Sequence, residues 1–208
     1  MRPLRVLVAL ALVALAPGCA AVSALSSASA PLDAYALTPA GGVAASGTTA
    51  RILDVEIPTA GGGIDTDRIL IKPDAFQAQY LPGVRWVDAA PALMQGLIVA
   101  SLQDSGAFRR VGRPSNGPLP DYTLLTDLRA FQAEATTAEG PPYRVRVGLV
   151  VSIVREEDRQ IVATRSFEAE ATAATADPPV IVPAFDAATD EALRQTVAWV
   201  LATFGLGV

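Results

Sequence analysis

Tyr143-Arg144-Val145-Arg146-Val147-Gly148-Leu149-Val150-Val151-Ser152-Ile153 is the stretch that decides how this 208-residue chain folds. Its odd-numbered positions are apolar or aromatic throughout, the period of two expected of a strand with one face in a core. The even positions begin with two arginines and turn apolar at Val150 and Val154, so the second face is only partly covered. Upstream, Tyr122, Leu124, Thr126, Leu128 and Ala130 alternate with Thr123, Leu125, Asp127, Arg129 and Phe131 in a second strand. Downstream, Glu156 to Arg159 is a charged turn, and Gln160 to Thr172 returns as the partner strand. Strands this long, linked this way, read as antiparallel sheet.

Two helices flank these strands. Asp88 opens the first: its carboxylate suits the unpaired N–H groups and the positive end of a helix dipole. Leu93, Leu97, Ala100 and Asp104, with Ala90, Met94, Ile98 and Ser101, carry an apolar stripe, and Gly106 is placed to end it. The second runs from about Phe185 to Phe204, stopped by Gly205. Phe185, Ala188, Ala192, Leu193, Thr196, Val197, Val200, Leu201 and Phe204 line one of its faces. Burying about six large side chains there contributes about 9–18 kcal/mol before entropy, an upper bound. The expected fold class is α+β: a mostly antiparallel sheet with two main helices packed on one face.

The first half is patchier. Tyr35-Ala36-Leu37 is a short strand, and Gly41 to Thr49 is a loop. Ile52, Val55 and Ile57 mark a strand that stops at Pro58, and Ala60-Gly61-Gly62-Gly63 breaks regular structure. Arg68 to Lys72 and Phe76 to Leu81 make a hairpin around Pro73-Asp74.

The amino end has its own signature. Arg2 and Arg5 precede an apolar run from Val6 to Ala16, too short to span a bilayer, and Gly18 precedes Cys19, the only cysteine. This is the layout of an exported signal peptide, and a cysteine directly after the cut resembles the lipobox of bacterial lipoproteins. Residues 1–18 are therefore expected to be a signal peptide. Cys19 is the expected lipidation site, and residues 19–33, rich in Ala and Ser, are a flexible tether. Residues 34–208 form a single α+β domain. Two acyl chains at about 0.8 kcal/mol per buried CH₂ suffice for stable attachment. Ala20 after the cysteine leans toward the outer membrane, with the inner membrane as the other option.

Composition narrows the chemistry. Without residues 1–18 the chain holds 14 basic and 21 acidic residues, net −7, which disfavours nucleic acid as a partner. There is no histidine, so Ser-His-Asp triads and Cys/His zinc sites are excluded. Gly61-Gly62-Gly63 lacks the Lys-Ser/Thr of a phosphate loop, and Asp65 and Asp67 lack further metal ligands nearby. Glu156-Glu157-Asp158 reads as a solvated turn. No catalytic residue, metal site or cofactor is expected.

Asp54-Val55-Glu56-Ile57-Pro58, Asp67-Arg68-Ile69, Tyr80, Arg85-Trp86 and Leu102-Gln103-Asp104-Ser105-Gly106-Ala107-Phe108 come in a distinctive order. Asp121-Tyr122-Thr123-Leu124, Val162 to Phe167 and Ala184-Phe185-Asp186-Ala187-Ala188 continue it. This order resembles the ABC-type transport auxiliary lipoprotein component family (paraquat-inducible protein C-like), over about residues 34 to 202. The resemblance implies a non-enzymatic, lipid-anchored accessory subunit on the periplasmic side of the outer membrane. Its implied partners are an MCE-domain protein with its ABC permease and ATPase, and its implied cargo is phospholipids or related hydrophobic molecules moving between inner and outer membranes. Some members form rings, which leaves homo-oligomerisation open. Arg85 and Trp86, the pair most recognisable in the resemblance, are either a partner or lipid contact or a packing element where the chain turns into the first helix. The alternative function is an outer-membrane assembly or lipoprotein-carrier subunit. A lipid-modifying hydrolase is disfavoured by the missing histidine.

Overall fold

The computed structural model describes residues 31–115, 117–136 and 142–207. Residues 1–30, which hold the expected signal peptide, Cys19 and most of the expected tether, lie outside the described residues. In chain order the elements are β1 (Asp33–Tyr35), β2 (Thr49–Val55), β3 (Thr59–Ala60), β4 (Leu70–Lys72), β5 (Gln79–Tyr80), β6 (Val84–Trp86), α1 (Ala90–Asp104), β7 (Phe108–Gly112), β8 (Tyr122–Ala135), β9 (Tyr143–Arg155), β10 (Gln160–Ala173) and α2 (Pro178–Thr203).

The long strands pair as their alternation requires. β8 and β9 are antiparallel from Tyr122↔Arg155 to Ala135↔Tyr143, and β9 and β10 from Arg155↔Gln160 to Tyr143↔Ala173. A bulge between Leu128 and Ala130 shifts the β8 register by one, which brings Phe131 and Ala133 onto the face that Leu124 and Leu128 occupy. Inside lie Val145, Val147, Leu149, Val151 and Ile153 of β9 and Phe167 and Ala169 of β10, all buried.

The sheet is mixed rather than mostly antiparallel. Along its other edge β8 is joined in sequence by β2, β3 and β4, each parallel to it, and β7 lies parallel to β2 at the far side. A 14-residue strand is about 46 Å long, far longer than any of these segments, so a chain advancing steadily along it lays down several short parallel partners. Parallel neighbours need a long crossover, and α1 lies in the one between β2 and β7. The expected hairpin is present: β4 and β5 pair through Leu70↔Tyr80 and Ile71↔Gln79.

Both helices depart from expectation at their starts. Asp88 does not cap α1: the cap is Ala89, without a side-chain hydrogen bond, and a proline (Pro91) stands in the first turn, where it costs no intrahelical bond. Gly106, at φ 67°, ends the helix in the left-handed region, its N–H donating to Gln103 O. α2 begins at Pro178, seven residues before the expected Phe185, and carries Pro183 within it. Pro178 and Pro179 sit in the first turn, and Pro183 sacrifices only its own bond to the turn before. Most of the expected stripe faces the core: Phe185, Ala188, Ala192, Leu193, Thr196, Val197, Val200 and Leu201 are buried, while Phe204, its last expected member, is the C-cap just past the helix and only half-buried.

α2 packs on β9 and β10, α1 on β2 and β7, and the helices touch each other. Gln95 ties α1 to the sheet by donating from Nε2 to Val55 O at 2.8 Å. Aromatic clusters mark the two ends of the core. At one, Trp86, Phe131 and Phe185 pack with centroids 5.2–5.4 Å apart. At the other, Phe204 meets Phe108 at 5.1 Å and Tyr122 at 4.8 Å.

Candidate functional site

With both helices on the inner face, the outer face of β8, β9 and β10 is left without a covering element among the described residues. Its side chains fall into rows fixed by the register. Asp54, Thr123, Val154 and Ile161 form one row across four strands; Leu125, Ser152 and Thr164 form the next, followed by Asp127, Val150 and Ser166. These rows carry an apolar strip of exposed Leu125, half-buried Val150 and buried Val154. Ile57 (55% exposed) and Ile161 (62% exposed) stand at its margins. Shallow concavities run along the strip, lined by Glu56, Ile57, Leu125, Val150 and Ser152 and, further on, by Thr123, Val154, Glu156, Arg159 and Ile161.

Beyond Ala130, Gly148 and Glu168 the same face becomes ionic. A Cβ on Gly148 would stand 3.2 Å from that of Ala130, so glycine is what lets the bulged strand lie close. Arg144 pairs with Glu134 at 3.6 Å and Glu170 at 3.7 Å. Arg146 pairs with Glu134 at 3.4 Å, Glu170 at 3.3 Å and also Glu168. Burial pushes the Glu134 carboxyl up, but the Gln132 amide and Arg146 more than offset this and hold it below the ordinary carboxylate range. Arg146 is raised, chiefly by its bond to Glu168. Two arginines and three glutamates thus form an ion-pair lattice that largely satisfies itself.

The acidic turn between β9 and β10 is likewise tied up. Glu156 is lowered by a hydrogen bond from Thr123 Oγ1 and by Arg159. Asp158 is lowered by Arg155. Such anions are poor proton donors at neutral pH. Asp67 forms an ion pair with Arg85 at 3.6 Å, and among the described residues no group of three or more metal-type ligands converges. The face can recognise by shape, apolar contact and charge pattern.

Trp86 is 0% exposed. Its indole fills the space between β8 and α2, and its Nε1 has no hydrogen-bond partner among the protein atoms. Arg85 points outward, donating to Trp86 O at 3.1 Å. A partner reaching this pair meets Arg85, not the indole. The outer apolar strip did leave a trace in the sequence, where the second face of β9 turns apolar at Val150 and Val154; its extension to Ile57 depends on long-range pairing.

Residues 35–197 match the model of the ABC-type transport auxiliary lipoprotein component family. The chain belongs to this family. An uncharacterized protein of Bradyrhizobium diazoefficiens, bll6063, is 30% identical over 152 residues, which is 73% of this chain but 40% of that protein. The chain thus spans well under half of that relative's length. The crystal structure of protein XCC0632 from Xanthomonas campestris superposes with a TM-score of 0.75 at 24% identity, covering 85% of this chain and 97% of the other. That likeness shows a shared fold. The family's description is that of an auxiliary lipoprotein component of ABC-type transport.

Proposed function

We propose that the chain is the non-enzymatic accessory subunit of an MCE-type ABC transport system. It is held by an acylated Cys19 at the periplasmic side of the outer membrane and assists movement of phospholipids or related hydrophobic molecules between the membranes. The family match over 35–197 carries this reading, together with the position of Cys19 behind an export signal. A role in contact is supported by the sheet face away from the helices, which carries an apolar strip bordered by paired charges. Exposed apolar surface rimmed by polar groups marks interaction sites.

The test is affinity purification of the full chain from membranes in mild detergent, followed by identification of what accompanies it. The reading expects an ABC permease, its ATPase and a membrane-anchored MCE-domain protein. Recovery of a β-barrel assembly protein or of acylated client proteins, with no transporter subunit, overturns it in favour of an assembly or carrier role.

A further inference from the structure

We propose that the tip of the β4–β5 hairpin is a second membrane contact, with Phe76 entering the lipid surface; this rests on the reading of Cys19 as acylated. Phe76 is 100% exposed, yet the turn that presents it is built. Asp74 Oδ1 accepts hydrogen bonds from the N–H groups of Phe76 and Gln77, both at 2.8 Å. The tip, Pro73 to Ala78, has one charged group, Asp74, and that oxygen is already engaged. One layer back stand Tyr80, 41% exposed, and Arg68, whose guanidinium lies over the Tyr80 ring at 5.9 Å. Lys72 is there too, facing Glu134. An apolar tip backed by an aromatic hydroxyl and cations is the layering of a segment that meets acyl chains first and phosphates second.

The position of the hairpin selects the bilayer as its occupant. β4 runs parallel to β8, Lys72 opposite Glu134, so the chain leaving Lys72 continues toward the end of the sheet at which β8 finishes. The folded domain is entered at that same end: Tyr35 O accepts from Val87 N at 2.9 Å, next to Trp86, which packs on Phe131. Cys19 lies 16 residues before Tyr35. The chain from Cys19 therefore joins the domain at this end of the sheet, and an acylated Cys19 tethers the domain by it. The opposite end, at Tyr122, is about 40 Å away along β8. It presents its own exposed apolar residue, Leu119, 89% exposed, which serves as a control.

The experiment uses the full-length chain purified from membranes and reconstituted into phosphatidylcholine/phosphatidylglycerol vesicles, with and without brominated acyl chains. Phe76→Trp and Leu119→Trp are compared with the unsubstituted chain, whose Trp86 and Trp199 set the baseline. The proposal expects added emission from Phe76→Trp that is blue-shifted in vesicles and lost to brominated lipid, and added emission from Leu119→Trp that is not. No bromine quenching in Phe76→Trp, or equal quenching in both variants, overturns it. A wild-type chain that washes off the vesicles in high salt sinks the anchor reading itself; one that stays bound while Phe76→Trp is unquenched sinks only the hairpin contact. Both sites are exposed, so thermal unfolding matching wild type verifies that neither variant acts through the fold.

Discussion

Replacing Trp86 separates its two readings. The side chain is wholly buried and touches Phe131 and Phe185 at 5.4 and 5.2 Å. Trp86→Ala removes a buried aromatic from a core of this density and costs about 3–5 kcal/mol. For a domain of this size that corresponds to a fall in Tm of about 6–20 °C. Trp86→Phe is the informative partner variant. It keeps a ring against both neighbours and deletes an Nε1–H that has no protein partner. Relief of that desolvation, about 1–3 kcal/mol, works against the cavity left by the smaller ring, so the net change stays within about 1.5 kcal/mol. Urea unfolding of the purified chain, with the denaturant slope unchanged, measures both. If Trp86→Ala unfolds with wild type while losing its membrane partners, Trp86 is a contact residue and the packing argument fails.

Other substitutions probe other links. Val197 is 1% exposed in the α2 stripe, so Val197→Asp buries an unpaired carboxylate and costs about 4 kcal/mol or more; loss of a cooperative thermal transition is the expected result, and a wild-type melt contradicts it. Gly106→Ala forces a side chain to φ 67° and lowers stability by about 1–2 kcal/mol, read from the denaturation midpoint. Asp121 is held below the ordinary carboxylate range by the Ile52 N–H at 2.8 Å and by Arg51. A depressed folded pKa stabilises above the unfolded value, about 3.9, and that contribution is lost as pH falls through the folded value. The stability gap between wild type and Asp121→Asn is therefore steady from pH 7 to 5 and closes below pH 4; a gap that widens on acidification contradicts the assignment.

Local patterns carried much of the fold. The alternation in β8, β9 and β10, the Pro73-Asp74 hairpin and the Gly106 stop were all legible because each depends on residues a few positions apart. The start of α2 was not, because Pro178 and Pro179 look like breakers unless the first turn is recognised as the place where proline is harmless, and Pro183, inside the helix, adds a further apparent break. The parallel seating of β2, β3 and β4 on β8 was hidden for a different reason: strands of two to seven residues have too little pattern to name partners more than sixty residues away. In the candidate site, the charged and apolar sides of β9 were visible, but not that Arg144 and Arg146 would each be held by glutamates from both neighbouring strands. Trp86 could be placed beside the helix entry, yet only the packing of Phe131 and Phe185 around it shows how deep it lies.

The anchored-adaptor account stands or falls on Cys19. The direct measurement is pulse–chase movement of labelled phospholipid between inner and outer membranes in cells carrying wild type, Cys19→Ser or no chain at all. The account predicts that Cys19→Ser yields a folded domain released from membranes and slows lipid movement as much as deletion does. A Cys19→Ser chain that supports the full wild-type rate contradicts it.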